Sequence, residues 1–394
     1  MELSLNKDTA LCILRQKRIE LSCQNTGFVR TDIVAPNPNH RKRWTKDAIV
    51  RGLPDSIRHL LEGDIFVAVP SAEMRIRAKG VSSTVYERPL PTGSFIVAGN
   101  DLAISGPELL FAELASKMQP IERVMLAHEL CGSFGRDAAD PRNGPVTYGL
   151  KPLTSVARIR AFLENAAFIR GIGAAREVAC YLDDHAWSPT ESLLTAFLRL
   201  PIDSFGFEFG ELELNERISN KHGLPGSKES RVPDILIKGT SVGLNYDGLV
   251  HLDLDSIARA AMDAGMNPES SQALYDLRRA IDSVRLKVVD DVRRNRELTA
   301  EGLNVLPVLK EDLYQQHGLE RLVSRLVDML NQEAYDLRQP RRALRSKRLC
   351  EDRYRLLLSL LPGRKKLDTK LGRYIQGHEV VEGLTEESCF WIEL

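Results

Sequence analysis

From Arg231 to Gly248 the chain reads RVPDILIKGTSVGLNYDG. The runs VPDILIK and VGLNYDG each alternate apolar and polar residues, and Gly239-Thr240-Ser241 lies between them. A period of two on both sides of a turn predicts a β-hairpin. No other feature constrains the fold as much, because the segments around a hairpin must complete its sheet and cover its apolar face.

Those segments alternate in kind. SPTESLLTAFLRL predicts a capped helix, with Ser188 at the N-cap, Pro189 at the first turn and Glu191 three residues after the cap. FGFEFGELEL and LNERI read as strands, and NKHGLPGSKES as a loop. Beyond the hairpin, the stretch from Asn267 to Gly302 predicts one long helix, capped by Asn267 and opened by Pro268. LNVLPVL reads as a strand and GLERLVSRLVDMLNQ as a closing helix. Upstream, DIFVAVPS, STVYERPL and GSFIVAGNDLAISG predict short strands, followed by four helices. His128 sits among apolar neighbours on one of these and reads as a packed histidine. The expected organisation is an N-terminal helical and loop segment over 1–63, a strand-and-helix region over 64–180, a mixed α/β unit over 181–334 and a basic extension over 335–394.

The 394 residues carry 54 basic and 54 acidic side chains, so bulk charge gives no argument for a nucleic-acid partner. Local clusters give one instead. They are Arg41, Lys42, Arg43 and Lys46 around Trp44, and the run from Arg338 to Lys366, ahead of an acidic and apolar end. The six cysteines form no C-x-x-C pair, which argues against a zinc site. The first twenty residues lack a signal-peptide core, and no stretch has eighteen uninterrupted apolar residues. A cytoplasmic location without membrane contact is therefore expected.

The candidate site gathers on the hairpin. Asp234 opens one strand, Asn245 and Asp247 share a face of the next, and His251 follows. Glu191 comes from the preceding helix. This set suits metal-assisted phosphodiester hydrolysis. Mg²⁺ or Mn²⁺ takes carboxylate oxygens, polarises a phosphoryl oxygen and activates water, and a rim histidine moves protons. Lys287, Arg293, Arg294 and Arg296 on the long helix are candidates to neutralise the phosphate.

From Ser188 to about Asn331 the chain resembles the very-short-patch-repair type of endonuclease-like domain, in the PD-(D/E)XK superfamily. SPTESLL, VPDILI, VGLNYDGLVH and DDVRRNRELTAEGLNVLPV carry the resemblance. It implies a restriction-endonuclease-like mixed sheet flanked by helices, preceded by a separate α+β region. It assigns Glu191 to the helix glutamate, Asp234 to the Pro-Asp acid, and Asn245, Asp247, Gly248 and His251 to the Glu-x-Asp-Gly-x-x-His run. Asn245 departs from that pattern, standing where a carboxylate is usual and bringing no charge to an ion. Similar domains end actinobacterial proteins that resemble AbiEi-type antitoxins, which are transcriptional autorepressors. SFIVAGNDLAISGPELLFAELA is similar to the middle region of those proteins. Two functions follow as expectations. One is a divalent-metal-dependent DNA endonuclease or nickase, with Asp234 and Asp247 as metal ligands. The other is a degenerate DNA-binding regulator or antitoxin, with operator DNA or a toxin-like protein as partner.

Overall fold

The computed structural model describes residues 3–23, 27–35, 44–61, 63–99, 102–220, 228–246 and 254–363. Asp247 and His251 lie outside these residues, as do Arg41, Lys42, Arg43 and the chain beyond 363.

The protein is a mixed α/β structure in which helices flank mixed sheets. The amino-terminal half runs β1 (Leu3–Leu5), α1 (Lys7–Cys23), β2 (Arg30–Thr31), α2 (Lys46–Arg51), α3 (Asp55–Arg58), β3 (Ile65–Val69), β4 (Val81–Val85), β5 (Phe95–Gly99) and β6 (Leu102–Ser105). The helices α4 (Pro107–Ala115) and α5 (Pro120–Cys131), the hairpin β7 (Phe134–Arg136) with β8 (Val146–Tyr148), and α6 (Val156–Asn165) and α7 (Ile172–Val178) follow. Six strands form one sheet in the order β2-β5-β6-β1-β3-β4.

The first segment was expected as a helical and loop unit ending at residue 63. It instead supplies β1, which sits inside the sheet, parallel to β6 and antiparallel to β3. All three residues of β1 are buried. The helix that follows is tied down as firmly. Arg18 is 5% exposed and donates to the carbonyls of Glu129, Gly132, Phe134 and Lys151 around the end of α5. Arg15 makes a two-pronged ion pair with Glu129.

The second half runs α8 (Pro189–Arg199), β9 (Leu212–Leu214), β10 (Ile218–Ser219), β11 (Ser230–Arg231), β12 (Ile235–Ile237), β13 (Val242–Tyr246), α9 (Leu254–Met266), α10 (Ser271–Ala300), β14 (Asn304–Val308), α11 (Lys310–Tyr314) and α12 (Gly318–Leu330). The expected hairpin is β12–β13, with Ile235 opposite Leu244 and Gly239 at φ +78 in the turn. β9 pairs antiparallel with β12, and β14 pairs parallel with β13. The order is therefore β9-β12-β13-β14, with α10 as the crossover into the parallel strand.

The long helix begins later than its sequence pattern suggests. Asn267 donates its N–H to the Asp263 carbonyl and closes α9. Ser270, not Asn267, caps α10 by accepting from the Ala273 N–H. The chain then ends its described part with α13 (Arg338–Arg345) and α14 (Lys347–Leu360). The sequence reads this stretch as a basic extension, a nucleic-acid tail or a solvated arm, and in the structure Ala343 and Leu357 join the core. Arg353 is fully buried, donating to the Phe205 carbonyl and to Glu320 and lying over the Phe207 ring. One continuous apolar cluster runs through both sheets and their helices. No helix among the described residues is long and apolar enough to cross a membrane.

Candidate functional site

The hairpin strands are clamped together at their open end by polar groups. Asp234, half-buried after Pro233, donates its N–H to Asn245 Oδ1 at 3.1 Å. In return its Oδ2 accepts the Tyr246 N–H at 2.6 Å. Asn245 is 0% exposed, and its Nδ2 donates to Asn295 Oδ1 on α10 at 3.1 Å. One buried amide thus joins β12, β13 and the crossover helix, with acceptor and donor ends both engaged. A buried polar side chain is tolerable only on such terms.

Glu191 reaches the same region from α8. Ser188 Oγ accepts the Glu191 N–H at 3.1 Å, as the cap pattern predicts. The carboxylate itself accepts from the Trp187 N–H at 3.0 Å and from Asn215 Nδ2 at 2.8 Å. Burial pushes the Glu191 carboxyl above its usual range, and these hydrogen bonds oppose the shift. Asn215 adopts φ +53 directly after β9 and donates its backbone N–H to the Asp234 carbonyl at 3.1 Å. It also holds the His185 carbonyl through Nδ2 at 2.8 Å. Glu191, Asp234 and Asn245 therefore belong to one hydrogen-bonded neighbourhood, linked through Asn215.

Two tyrosines complete it. The Tyr246 phenol is pushed up to about 12 by burial, although the Thr190 side chain hydrogen-bonds to it. Tyr148 arrives on β8, and its phenol is raised by burial and by the charge of Glu191. Neither tyrosine, nor Asn215 or Asn295, was singled out from sequence. An asparagine directly after a strand is a turn signal that points to Asn215. Asn295 lies between arginines on a long helix and carries no such signal.

Two of the described donors are already engaged. The Asn245 oxygen is committed to the Asp234 N–H, and Glu191 is buried under two donors. Among the described residues, no three His, Cys, Asp or Glu side chains are grouped so as to hold a metal. Asp247 and His251 fall outside that statement.

The charges of the long helix fall into two sets, those paired with the strand before the hairpin and those that are not. Arg231 on β11 is 6% exposed and binds Glu297 at 2.5 Å and Asp290 at 3.0 Å, one turn-pair apart on α10. Lys228 adds a second contact to Asp290 at 2.9 Å. Asp290 and Glu297 are thus engaged by β11 and the chain just before it. Arg293 and Arg296 are exposed, with no ion-pair partner among the described residues. Lys287 and Arg294 are half-buried, and Arg294 stands 3.6 Å from Asp291. His128, by contrast, is fully buried on α5 and accepts the Asp183 N–H at 3.2 Å, a packed histidine remote from these groups in sequence and role.

Comparison with known proteins returns no matching family model, no matching curated protein and no matching solved structure.

Proposed function

We propose that the chain is a DNA-binding protein whose carboxyl-terminal half is a nuclease-like unit with structural rather than hydrolytic acids. The observation that carries this reading is the closed state of Asn245. Its amide is buried and engaged at both ends, at the position where a nuclease of the resembled kind needs a charged, accessible ligand. The order of elements supports the nuclease-like ancestry. From α8 to β14 the four-stranded sheet takes three antiparallel strands, β9, β12 and β13, and then β14 parallel to β13 after the crossover, with the β10–β11 ribbon and α9 inserted between them. The exposed Arg293 and Arg296 supply phosphate contacts. A regulator similar to AbiEi-type antitoxins is the form this reading takes, with operator DNA as ligand and a toxin-like protein as partner.

Fluorescence anisotropy with a labelled duplex tests it. Binding should weaken steeply with salt, and Arg293→Ala and Arg296→Ala should each reduce the salt slope by about one unit. Added Mg²⁺ should act only as salt. Binding that ignores ionic strength would remove the proposal.

A second reading is an endonuclease or nickase using Mg²⁺ or Mn²⁺. One observation favours it: the half-exposed Asp234 carboxylate reaches the backbone of Tyr246, the residue before Asp247. Mn²⁺-dependent nicking of supercoiled DNA, abolished in Asp234→Ala, would establish this reading over the first.

A further inference from the structure

The unit built on the six-stranded sheet holds a cavity of about 830 Å³ that the DNA-binding reading leaves unused. The size is that of a small-molecule site. One wall is the end of edge strand β4 and the residues after it, through Arg88. The C-terminal end of α4, with Ser116 and Lys117, forms another, and residues 168–170 between α6 and α7 form a third. Gly171 holds that third wall in place. It adopts φ +90, and a Cβ there would lie 2.7 Å from the Ser116 side chain, so only glycine lets the loop close this tightly on α4.

Four cations line the cavity: Lys7, Arg88, Lys117 and Arg170. Lys117 pairs with Asp8 at 3.1 Å, and the other three have no ion-pair partner among the described residues. The ammonium groups of Lys7 and Lys117 stand over one ring, 5.8 and 4.9 Å from the Phe66 centroid. Two like charges held over one ring repel, and Lys7 is also half-buried. Burial, reinforced by Lys117 and opposed by Glu113, lowers the Lys7 ammonium from its usual range. A bound anion relieves both penalties.

The floor is already organised. Glu113 is 5% exposed and accepts from the Tyr86 hydroxyl, from Asn6 Nδ2 at 2.9 Å and from the Lys7 N–H at 3.2 Å. That last bond holds Lys7 at φ +51, a backbone conformation that costs a lysine free energy. Beside the cations, the Arg88 guanidinium stands 6.0 Å from the Phe168 ring centroid and presents a flat, partly apolar surface.

We propose that this cavity binds a small phosphorylated ligand bearing a planar ring, of the nucleotide class, with the phosphate at Lys7 and Lys117 and the ring against Phe168 and Arg88. Ammonium groups hold phosphate as point charges, and aromatic and guanidinium faces stack on rings. The proposal does not rest on the assignment of α10.

Calorimetry on the full chain tests it, with AMP, inorganic phosphate and adenosine as probes. AMP should bind, and phosphate should compete with it. Adenosine should bind about tenfold more weakly or not at all, a difference of about 1.4 kcal/mol. Arg170→Ala, at an exposed position, should weaken AMP several-fold with an unchanged melting temperature. Lys7→Gln should also weaken AMP several-fold without lowering the melting temperature, and Phe168→Ala should weaken AMP while sparing phosphate. The proposal fails if neither AMP nor phosphate gives heat at millimolar concentration. It fails equally if adenosine matches AMP, or if Arg170→Ala and Lys7→Gln leave AMP binding intact. Single-stranded DNA whose binding drops in Arg170→Ala, with AMP inert, would assign the cavity to nucleic acid and overturn it as well.

Discussion

Asn245 is the side chain at which the two readings of the site part. A carboxylate at this position would accept the Asp234 N–H but could not donate to Asn295, and it would face the Asp234 charge at close range. Asn245→Asp should therefore destabilise the fold by about 1–3 kcal/mol in urea denaturation, and it should confer no Mn²⁺-dependent cleavage. Recovery of cleavage would argue for the hydrolytic reading. His128 offers a second test. Burial lowers its imidazole to about 3, so the folded chain keeps it neutral while the unfolded chain takes up a proton below about 6.5. Between those values the unfolded state binds more protons, so stability rises with pH and falls as pH drops from 6.5 towards 3. The loss approaches about 1.4 kcal/mol per pH unit in that window. His128→Gln should flatten the melting temperature between pH 6.5 and 4, and an unchanged profile would refute the assignment. Sequence alone placed Asp234 and Asn245 on facing strands and read His128 as a packed histidine of core or rim. The partner of Asn245 lies fifty residues away on α10, and nothing local to either residue announces the contact.

Among the elements, caps and turns were the most legible. Ser188, Pro189 and Glu191 start α8 where the pattern places them, and Ser188→Ala should cost about 1 kcal/mol by loss of that cap. The start of α10 was misplaced because Asn267-Pro268 is a plausible cap and first turn. Here the residue before proline instead closes the preceding helix, and Ser270 takes over as cap. The short β1 carried no signal at all, since three residues give no measurable period. The long crossover helix also makes a prediction at this scale. Arg231 neutralises Asp290 and Glu297 from β11. Arg231→Ala should leave α10 more negative and so weaken duplex binding, though Arg231 itself is buried away from solvent. An anisotropy titration against Arg293→Ala separates this indirect loss from a direct one. Equal affinity in Arg231→Ala and the unaltered protein would exclude it.

At the level of the whole molecule, charge composition misled where burial decided. The run from Arg338 to Arg355 reads by charge as a nucleic-acid tail or a solvated arm, but Arg353 carries its guanidinium into the core against Phe205, Phe207 and Glu320. Arg142 on the loop between β7 and β8 donates to the Leu358 and Leu361 carbonyls and fastens the end of α14 to the first half. Arg353→Ala should therefore lower stability by about 3–5 kcal/mol, since it leaves Glu320 without its charge partner in a packed setting. A mobility or anisotropy assay should at the same time show duplex binding unaltered at temperatures where the variant stays folded. The placement of β1 has its own outcome for how the chain matures. During synthesis β1, one of the two central strands of the six-stranded sheet, leaves the ribosome ahead of its two neighbours, β3 and β6, which follow some sixty and a hundred residues later. Leu3 and Leu5 must wait unpaired through that interval, so nascent chains halted before Ser105 should be bound by holdase chaperones and those halted after α4 should be released.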